Sequence, residues 1–525
     1  MNARLPFYIA SVVLLAGVSI ELSMLLSINN GYFTYTLDDA YIHLAVAENI
    51  ARGEYGINTN EFSSPSSSIL WPFLLAPFAQ YSGAVWIVFL LNVCVAIVVL
   101  YVMWKILDHY FHQCKSKLSL ITALLLLLIP AAGIIGLIFT GMEHLLQVCF
   151  IVLMLYSIVK ELHGEYNFRL MLVSIVVSSL IRYENLSFCL FGIAFLYARG
   201  KKNDALIAFN IMALLHILFA LFLYWNQSSL LPTSVMVKRN FLRHEIFPLT
   251  HLLETLNTDF GLLYGSLTVV FIGCSFLSRT LDKRLLSMGA AFVLLLHLLY
   301  GNTQNYGGLA TAWGYFFRYE MYVWTLVLLT LLIISKDFIM QHFQRSPMIT
   351  ILVFMLIEIT ICARNNIVLL TVPQASNNIY EQHFQMHRFV THFYKKNVAV
   401  NDIGYVSYQN DSYVLDLWGL ASKEAWKLRT NFPGKTAWID SVMQAKNVSL
   451  AMLYDSWFPF LPESFTKVAE LSLTKNTITA SEHIVSFYAA EKSEVENIER
   501  ALREFQNTLP DKNMLVFVKK PEAGL

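Results

Sequence analysis

The stretch SGAVWIVFLLNVCVAIVVLYVMW, residues 82–104, runs for twenty-three residues without a charge. A helix needs about 20 consecutive apolar residues to cross the hydrocarbon core of a bilayer, so these residues predict a membrane span. Residues 5–28 form a second run of that length, interrupted only by Glu21. Outward from these two runs the whole chain has the same character. Of 525 residues, 56% are apolar and 14% charged, where a soluble domain carries about 25% charged residues. An integral membrane protein follows. Thirty-seven Lys and Arg balance 36 Asp and Glu, which leaves no basic excess for nucleic acid. The six cysteines are scattered, with no metal-ligand spacing and none after Cys362; neither a disulfide framework nor a zinc site is expected. No small-residue cleavage site follows Leu26, so the first run reads as a retained span rather than a signal peptide.

Hydropathy predicts about eleven spans, at residues 7–28, 84–107, 118–139, 145–159, 170–181, 185–198, 205–225, 260–277, 285–300, 321–335 and 348–363. With the amino terminus in the cytoplasm, the inner loops hold fourteen Lys and Arg and the short outer loops six. That asymmetry follows the positive-inside rule and puts the carboxy-terminal part outside the cytoplasm. Residues 69–80 are apolar but short and contain Pro72 and Pro77, and are expected to form an interfacial or re-entrant helix. Residues 170–198 are read as two spans, because one long helix would export Arg199, Lys201 and Lys202. The turn Arg182-Tyr183-Glu184 between them then sits below the membrane surface, which is tolerable where protein lines a cavity.

The first outer loop, residues 29–83, carries Asp38, Asp39, Glu48, Glu54 and Glu61 against a single Arg. Thr36 followed by Asp39 has the spacing of a capping box. Ile42, Val46 and Ile50 then recur on one face until Gly53, predicting a short amphipathic helix lying on the membrane. Residues 1–363 read as one transmembrane domain. From residue 364 to 525 charge returns to ordinary levels, and strand-like runs at 398–400, 413–417, 448–453, 484–488 and 514–518 alternate with helical patterns at 378–395, 437–445 and 495–505. A soluble, extracytoplasmic α/β domain is expected there.

The pair Asp38-Asp39 is the most suggestive chemistry. Acids in the first turn of a helix favour the positive end of its dipole, which is the plain structural reading. Their place at the mouth of the membrane domain, beside Tyr35 and Tyr41, suits a reaction between a lipid-anchored and a water-side substrate. Adjacent helical side chains diverge by about 100°, a poor geometry for clamping a metal, so one Asp is expected to act as base while the other caps or orients. Arg182, Lys238 and Arg318 fall on three different outer loops; converging, they would hold an anionic head group. Glu184 and Glu143 are further outer-turn acids, and charges at this depth are functional hypotheses by default. His43, Glu48 and His144 show no metal-ligand spacing, and neither metal nor cofactor is expected.

These motifs together resemble a family. Leu37-Asp38-Asp39-Ala40-Tyr41-Ile42, Ala51-Arg52-Gly53, Ser64-Pro65 before Leu70-Trp71, and Thr140-Gly141-Met142-Glu143 occur in the order of bacterial GT-C type glycosyltransferases that use polyprenyl-phosphate sugars. The mycobacterial terminal β-arabinofuranosyltransferase group is the nearest resemblance. Arg182-Tyr183-Glu184 stands where the family has Arg-Pro-Glu, Leu231-Pro232-Thr233 through Lys238 where it has Leu-Pro-Asn-Thr and a later Lys, and Phe317-Arg318-Tyr319 where it has Gly-Arg-aromatic. Asn401-Asp402-Ile403-Gly404 and Leu415-Asp416-Leu417-Trp418-Gly419-Leu420 resemble the soluble domain's signature. Tyr183 for Pro and Thr233-Ser234 for Asn-Thr are departures.

The resemblance implies an inverting glycosyltransferase of the bacterial inner membrane, with its active site on the periplasmic face and no cofactor. Asp38 or Asp39 would be the general base, with Asp38 favoured because Asp39 holds the capping-box position, and Arg182, Lys238 and Arg318 would lie on the donor phosphate. Tyr41, His43, Glu143 and Glu184 would support them, and Asp402 and Trp418 would lie toward the acceptor. The partners implied are a polyprenyl-phosphate-linked sugar, a cell-envelope glycan or glycolipid acceptor and membrane lipid, in lipopolysaccharide or arabinan biosynthesis. An envelope polysaccharide ligase or polymerase using a diphosphate carrier, or a lipid-linked-glycan transporter, fits the same topology.

Overall fold

The computed structural model describes residues 3–226, 229–239, 252–253, 255–300 and 316–518. Ten helices carry the first 225 residues: α1 (Leu5–Ile28), α2 (Asp39–Ala51), α3 (Trp71–Ala79), α4 (Ala84–Phe111), α5 (Lys117–Ala131), α6 (Ile134–Phe139), α7 (His144–Leu162), α8 (Phe168–Ile181), α9 (Leu186–Ala198) and α10 (Lys202–Trp225). Further helices follow at Thr233–Arg239, Asp259–Leu277, Leu281–Tyr300, Met321–Ile334, Lys336–Arg345 and Pro347–Ile361.

Among the described residues five helices are long and apolar enough to cross a membrane: α1, α4, α7, α10 and Leu281–Tyr300. Met321–Ile334 and Lys336–Arg345, bent by 65° at their junction, make a sixth if taken as one span. The other expected spans are apolar helices of 10–17 residues. Pro130 and the left-handed Gly133 divide the expected 118–139 span into α5 and α6, as a proline near a helix end interrupts the hydrogen-bond ladder. The break at Arg182 is present, with extended backbone at Arg182 and a 3₁₀ turn, Tyr183–Asn185, between α8 and α9.

The helix after Asp38-Asp39 differs from its expectation in two ways. Thr36 does not cap it: the Thr36 hydroxyl donates to the Phe139 carbonyl 3.2 Å away. Nor does α2 lie with one face open, because every residue from Ala40 to Asn49 is buried. Small residues at Ala40, Ala45 and Ala47 let neighbours approach on the sides that a moment of large apolar residues leaves unassigned. α3 packs on one side of α2, and a short helix of the carboxy-terminal part, Gly404–Ser407, on another. α3 itself keeps Phe73, Leu74 and Phe78 exposed on one face.

The carboxy-terminal part is built on a six-stranded mixed sheet of order β2-β1-β3-β5-β4-β6, from β1 (Val398–Val400), β2 (Val414–Asp416), β3 (Leu450–Leu453), β4 (Thr466–Ser472), β5 (Ile484–Ala489) and β6 (Leu515–Phe517). β1 runs parallel to β2 and β3, and the remaining pairs are antiparallel. Alternate residues of β1 enter different cores: Val398 and Val400 join the core that continues into the helical part, and Ala399 joins Leu415, Val442 and Leu453 on the far face.

The first loop ties this sheet to the helices. The Asn58 amide both donates to the Val414 carbonyl and accepts from the Val414 N–H, each at 2.9 Å. Lys446 meets Glu61 at 3.1 Å, and Ser376 and Asn377 bond to Asn29 and Thr34.

Candidate functional site

Asp38 and Asp39 are adjacent in sequence and belong to different networks. Asp38 precedes α2 and turns toward the carboxy-terminal part, where the N–H groups of Gly404 and Tyr405 donate to its two oxygens at 2.7 and 2.8 Å. Only glycine allows this approach, since a Cβ at position 404 would collide with the Asp38 carbonyl and carboxylate. Tyr41, one turn into α2, lays its ring against Tyr405 with centroids 3.8 Å apart, and its hydroxyl accepts from the Tyr35 N–H at 3.0 Å.

His383 completes this side, its Nε2 lying 3.2 Å from Asp402. Burial raises the Asp38 carboxyl to about 6, with His383 pulling against the rise and Asp402 adding to it. Burial by itself lowers His383, but Asp38 and Asp402 outweigh it and hold the imidazole above its ordinary value. Asp38, His383 and Asp402 each offer one ligand atom, all within 4.8 Å of one another. That donor set suits a divalent cation. The geometry present is that of an imidazole beside two carboxyl groups, one of them already holding two N–H donors. Sequence spacing gave no sign of this cluster, because Asp38 lies more than 340 residues before His383 and Asp402.

Asp39 faces the helices. Its Oδ2 lies 2.5 Å from Nη2 of Arg318, with the Asp39 side chain 23% exposed and that of Arg318 only 1%. Arg318 follows Phe316 and Phe317, two aromatic residues in left-handed backbone conformation at φ 56° and 46°. Such conformations cost of order 1–3 kcal/mol each and persist where surrounding packing enforces them; here they aim the guanidinium back at α2. Nη2 of Arg318 also donates to the Tyr319 hydroxyl at 3.0 Å.

Tyr319 links the two arginines. The guanidinium carbons of Arg182 and Arg318 lie 5.2 and 4.8 Å from its ring centre, within the range of a cation–π contact. Arg182 is gripped by two carboxylates. Glu184 takes it bidentately at 3.1 and 2.8 Å, and Glu143 accepts from Nη1 at 2.7 Å. His43 on α2 reaches the other Glu143 oxygen at 3.3 Å and Ser66 at 3.1 Å. Burial pushes the Glu143 carboxyl up, but His43 and Arg182 outweigh it and hold Glu143 below its ordinary value. Gly141, at φ +67°, lets the Thr140–Glu143 turn close over the Tyr35 ring.

Asp39, Arg318, Tyr319, Arg182, Glu184, Glu143 and His43 thus form one connected charged centre, drawn from α2 and three turns far apart in sequence. The loop Ser64–Ser67 serves it directly, with Ser67 bonded to both Glu143 and Arg182. Ser64 holds Thr233 at 3.0 Å and the Ser66 carbonyl accepts from the Ser234 hydroxyl, which seats the Leu231-Pro232-Thr233 turn beside the same loop. Lys238 belongs to the helix Thr233–Arg239, but its side chain lies outside the described residues. Four expected residues sit elsewhere: Asp38 and Tyr41 lie against Gly404 and Tyr405, and Asp402 and Trp418 lie farther into the carboxy-terminal part. Asp402 belongs to the Asp38 cluster, and Trp418 packs among Trp457, Phe458 and the Arg429 guanidinium, 3.7 Å from its ring. Ser67 and His383 were not singled out from sequence; Tyr319 was quoted as the aromatic residue of the Phe317-Arg318-Tyr319 turn, but nothing marked it as the ring shared by two arginines.

Residues 377–488 match a domain of unknown function (DUF8728). This match covers Asn377, His383 and Asp402 and all but one strand of the sheet, and leaves the helical part outside it. No curated protein matches the chain.

Proposed function

We propose that the protein is a multi-pass GT-C type membrane glycosyltransferase with about eleven transmembrane passages, transferring a sugar from a polyprenyl-phosphate donor to an envelope glycan or glycolipid on the outer face of the bacterial inner membrane. The observation that supports it is Asp39 against Arg318, with Arg182 at the same Tyr319 ring. Glycosyl transfer with inversion needs a base on the acceptor side and cationic stabilisation of the charge that grows on the leaving phosphate. Both kinds of group stand here around one ring.

Asp39 and Arg318 satisfy each other in the resting arrangement. A donor phosphate takes over the guanidinium, and the Asp39 carboxylate is released to accept a proton. The acceptor oxygen then attacks the anomeric carbon, its proton passing to Asp39. The bond from that carbon to the phosphate oxygen breaks with its electron pair on polyprenyl phosphate, where the arginines receive the new charge. Glu184 and Glu143 fix the Arg182 fork in place, so little reorganisation accompanies the step. Asp38, with both oxygens engaged by N–H donors, serves as the anchor that holds the carboxy-terminal part against α2.

The test is to supply purified protein in vesicles with a polyprenyl monophosphate carrying one labelled sugar, and to follow label into envelope glycan and its anomeric configuration. Transfer with inversion is expected. Transfer only from a diphosphate-linked preassembled glycan favours the ligase or polymerase reading, and movement of lipid-linked glycan without bond cleavage favours a transporter.

A further inference from the structure

A second feature lies on the other side of the first loop. Residues 50–62, α3 and the end of α10 enclose an open cleft of about 590 Å³. Five rings, those of Tyr55, Phe62, Phe73, Phe219 and Phe222, line it. Its polar lining is Glu54, Glu61, Asn60 and Asn226, and no cation lines it among the described residues. We propose that this cleft seats the junction between sugar and lipid of an uncharged glycolipid, the acceptor of the transfer; this rests on the glycosyltransferase reading above.

The level of the cleft argues for an anchored ligand. Phe219 and Phe222 lie within two turns of the end of α10, where Tyr224 and Trp225 are 63% and 78% exposed. Exposed Tyr and Trp at the end of an apolar helix mark the level where head groups meet chains. Phe73, 44% exposed on α3, opens the cleft toward that boundary.

Charge chooses between the two lipid-linked substrates. Carboxylates and carboxamides accept and donate to hydroxyl groups, while Glu54 and Glu61 repel a phosphate at close range. Glu61 is partly compensated by Lys446, and among the described residues Glu54 receives the Asn60 N–H, at 2.9 Å. The phosphate-bearing donor therefore belongs with Arg182 and Arg318, and the uncharged head with the rings. Continuity supports the pairing: the loop that walls the cleft with Tyr55 and Phe62 passes directly to Ser66 and Ser67, which bond to His43, Arg182 and Glu143 of the charged centre.

The experiment uses the full chain in lipid nanodiscs with two photoreactive probes, an alkyl maltoside and a short-chain polyprenyl phosphate. The maltoside probe is expected to label peptides carrying Phe73 and Phe222, with excess unlabelled alkyl maltoside competing and polyprenyl phosphate not competing. Phe222→Trp, which fills the cleft, should reduce this labelling at least fivefold while polyprenyl-phosphate labelling near Arg182 is unchanged. Glu54→Lys, on a solvent-facing loop, should shift cleft labelling toward the phosphate probe. Polyprenyl phosphate labelling the wild-type cleft overturns the assignment by making it the donor's, as does a cleft that neither probe labels while the phosphate probe still labels the arginines. Loss of phosphate labelling at the arginines, with the cleft still taking maltoside, would instead count against the glycosyltransferase reading.

Discussion

The two halves of the Asp38-Asp39 pair show how one peptide bond can separate two networks. On the Asp38 side the partners belong to the carboxy-terminal part or pack against it: two backbone donors from Gly404 and Tyr405, an imidazole between carboxyl groups, and the tilted rings of Tyr41 and Tyr405. On the Asp39 side the carboxylate is partly exposed and opposed by a mobile kind of partner, a side-chain guanidinium. A backbone donor cannot leave without moving the fold, whereas a guanidinium can exchange one anion for another. A fixed carboxylate and an exchangeable one are therefore physically different reagents, although their sequence context is nearly identical.

The sharpest way to break this comparison is to neutralise each acid separately. Asp39→Asn should lower sugar transfer by about 10²–10⁴-fold, the usual share of a general base, with little loss of folded protein. Asp38→Asn should do the reverse: its amide presents a donor to one of two N–H groups, loosening the attachment at a cost of about 1–3 kcal/mol and lowering transfer less. Equal transfer by Asp39→Asn and the wild type would remove the distinction. Next in size is Arg182→Ala. It leaves Glu143, 0% exposed, and Glu184 facing each other without their cation, and breaking such a buried pair costs about 3–5 kcal/mol, readable as a lower melting temperature in detergent.

Gly404→Ala tests the attachment from the opposite partner. The added methyl meets the Asp38 backbone and carboxylate, and overpacking of this kind costs about 1–3 kcal/mol. Faster amide exchange at residues 404–407 should report it, with the Asp39–Arg318 region less affected. The smallest effect is that of pH. Asp38 is raised to about 6 and His383 is raised above its ordinary value, so the folded cluster holds its protons more tightly than the unfolded chain. Both shifts give stability that is complete on the acid side. The Asp38 part is lost as pH rises from about 4, its ordinary value, to about 6, and the His383 part as pH rises through its raised value. His383 faces Asp38, Asp402 and the Tyr454 hydroxyl, none of which supplies a replacement cation. Melting followed from pH 5 to 9 should show the decline, and His383→Gln should flatten its upper part.

Much of the charged centre was legible because charges inside apolar sequence are conspicuous. Arg182 interrupts an otherwise apolar run, and the loop-charge asymmetry alone requires a turn there. Arg318 and Glu143 stand at the ends of apolar segments for the same reason. What could not be read is whatever depends on distant packing. The burial of α2 on all sides comes from Gly404–Ser407, more than 350 residues away, and the His383 cluster assembles from three separated segments. β4 escaped notice because its sequence, TKVAELS, is half polar; Lys467 is engaged by Asp455 and Glu470 at the sheet surface, so no apolar run announces it. Lengths were the other limit, since α8 and α9 are shorter than a full crossing and hydropathy alone does not say how a short helix is accommodated.

The doubled amide contact between Asn58 and Val414 has a consequence for the sheet. β2 is one of its two edge strands, and a bare strand edge is a template on which further chains can add. Asn58 occupies both polar groups of Val414 much as a neighbouring backbone would, so the helical part acts as a stopper against end-to-end polymerisation. Cut away from residues 1–363, the sheet would carry an open seam, and its solubility is in that sense a property of the membrane part.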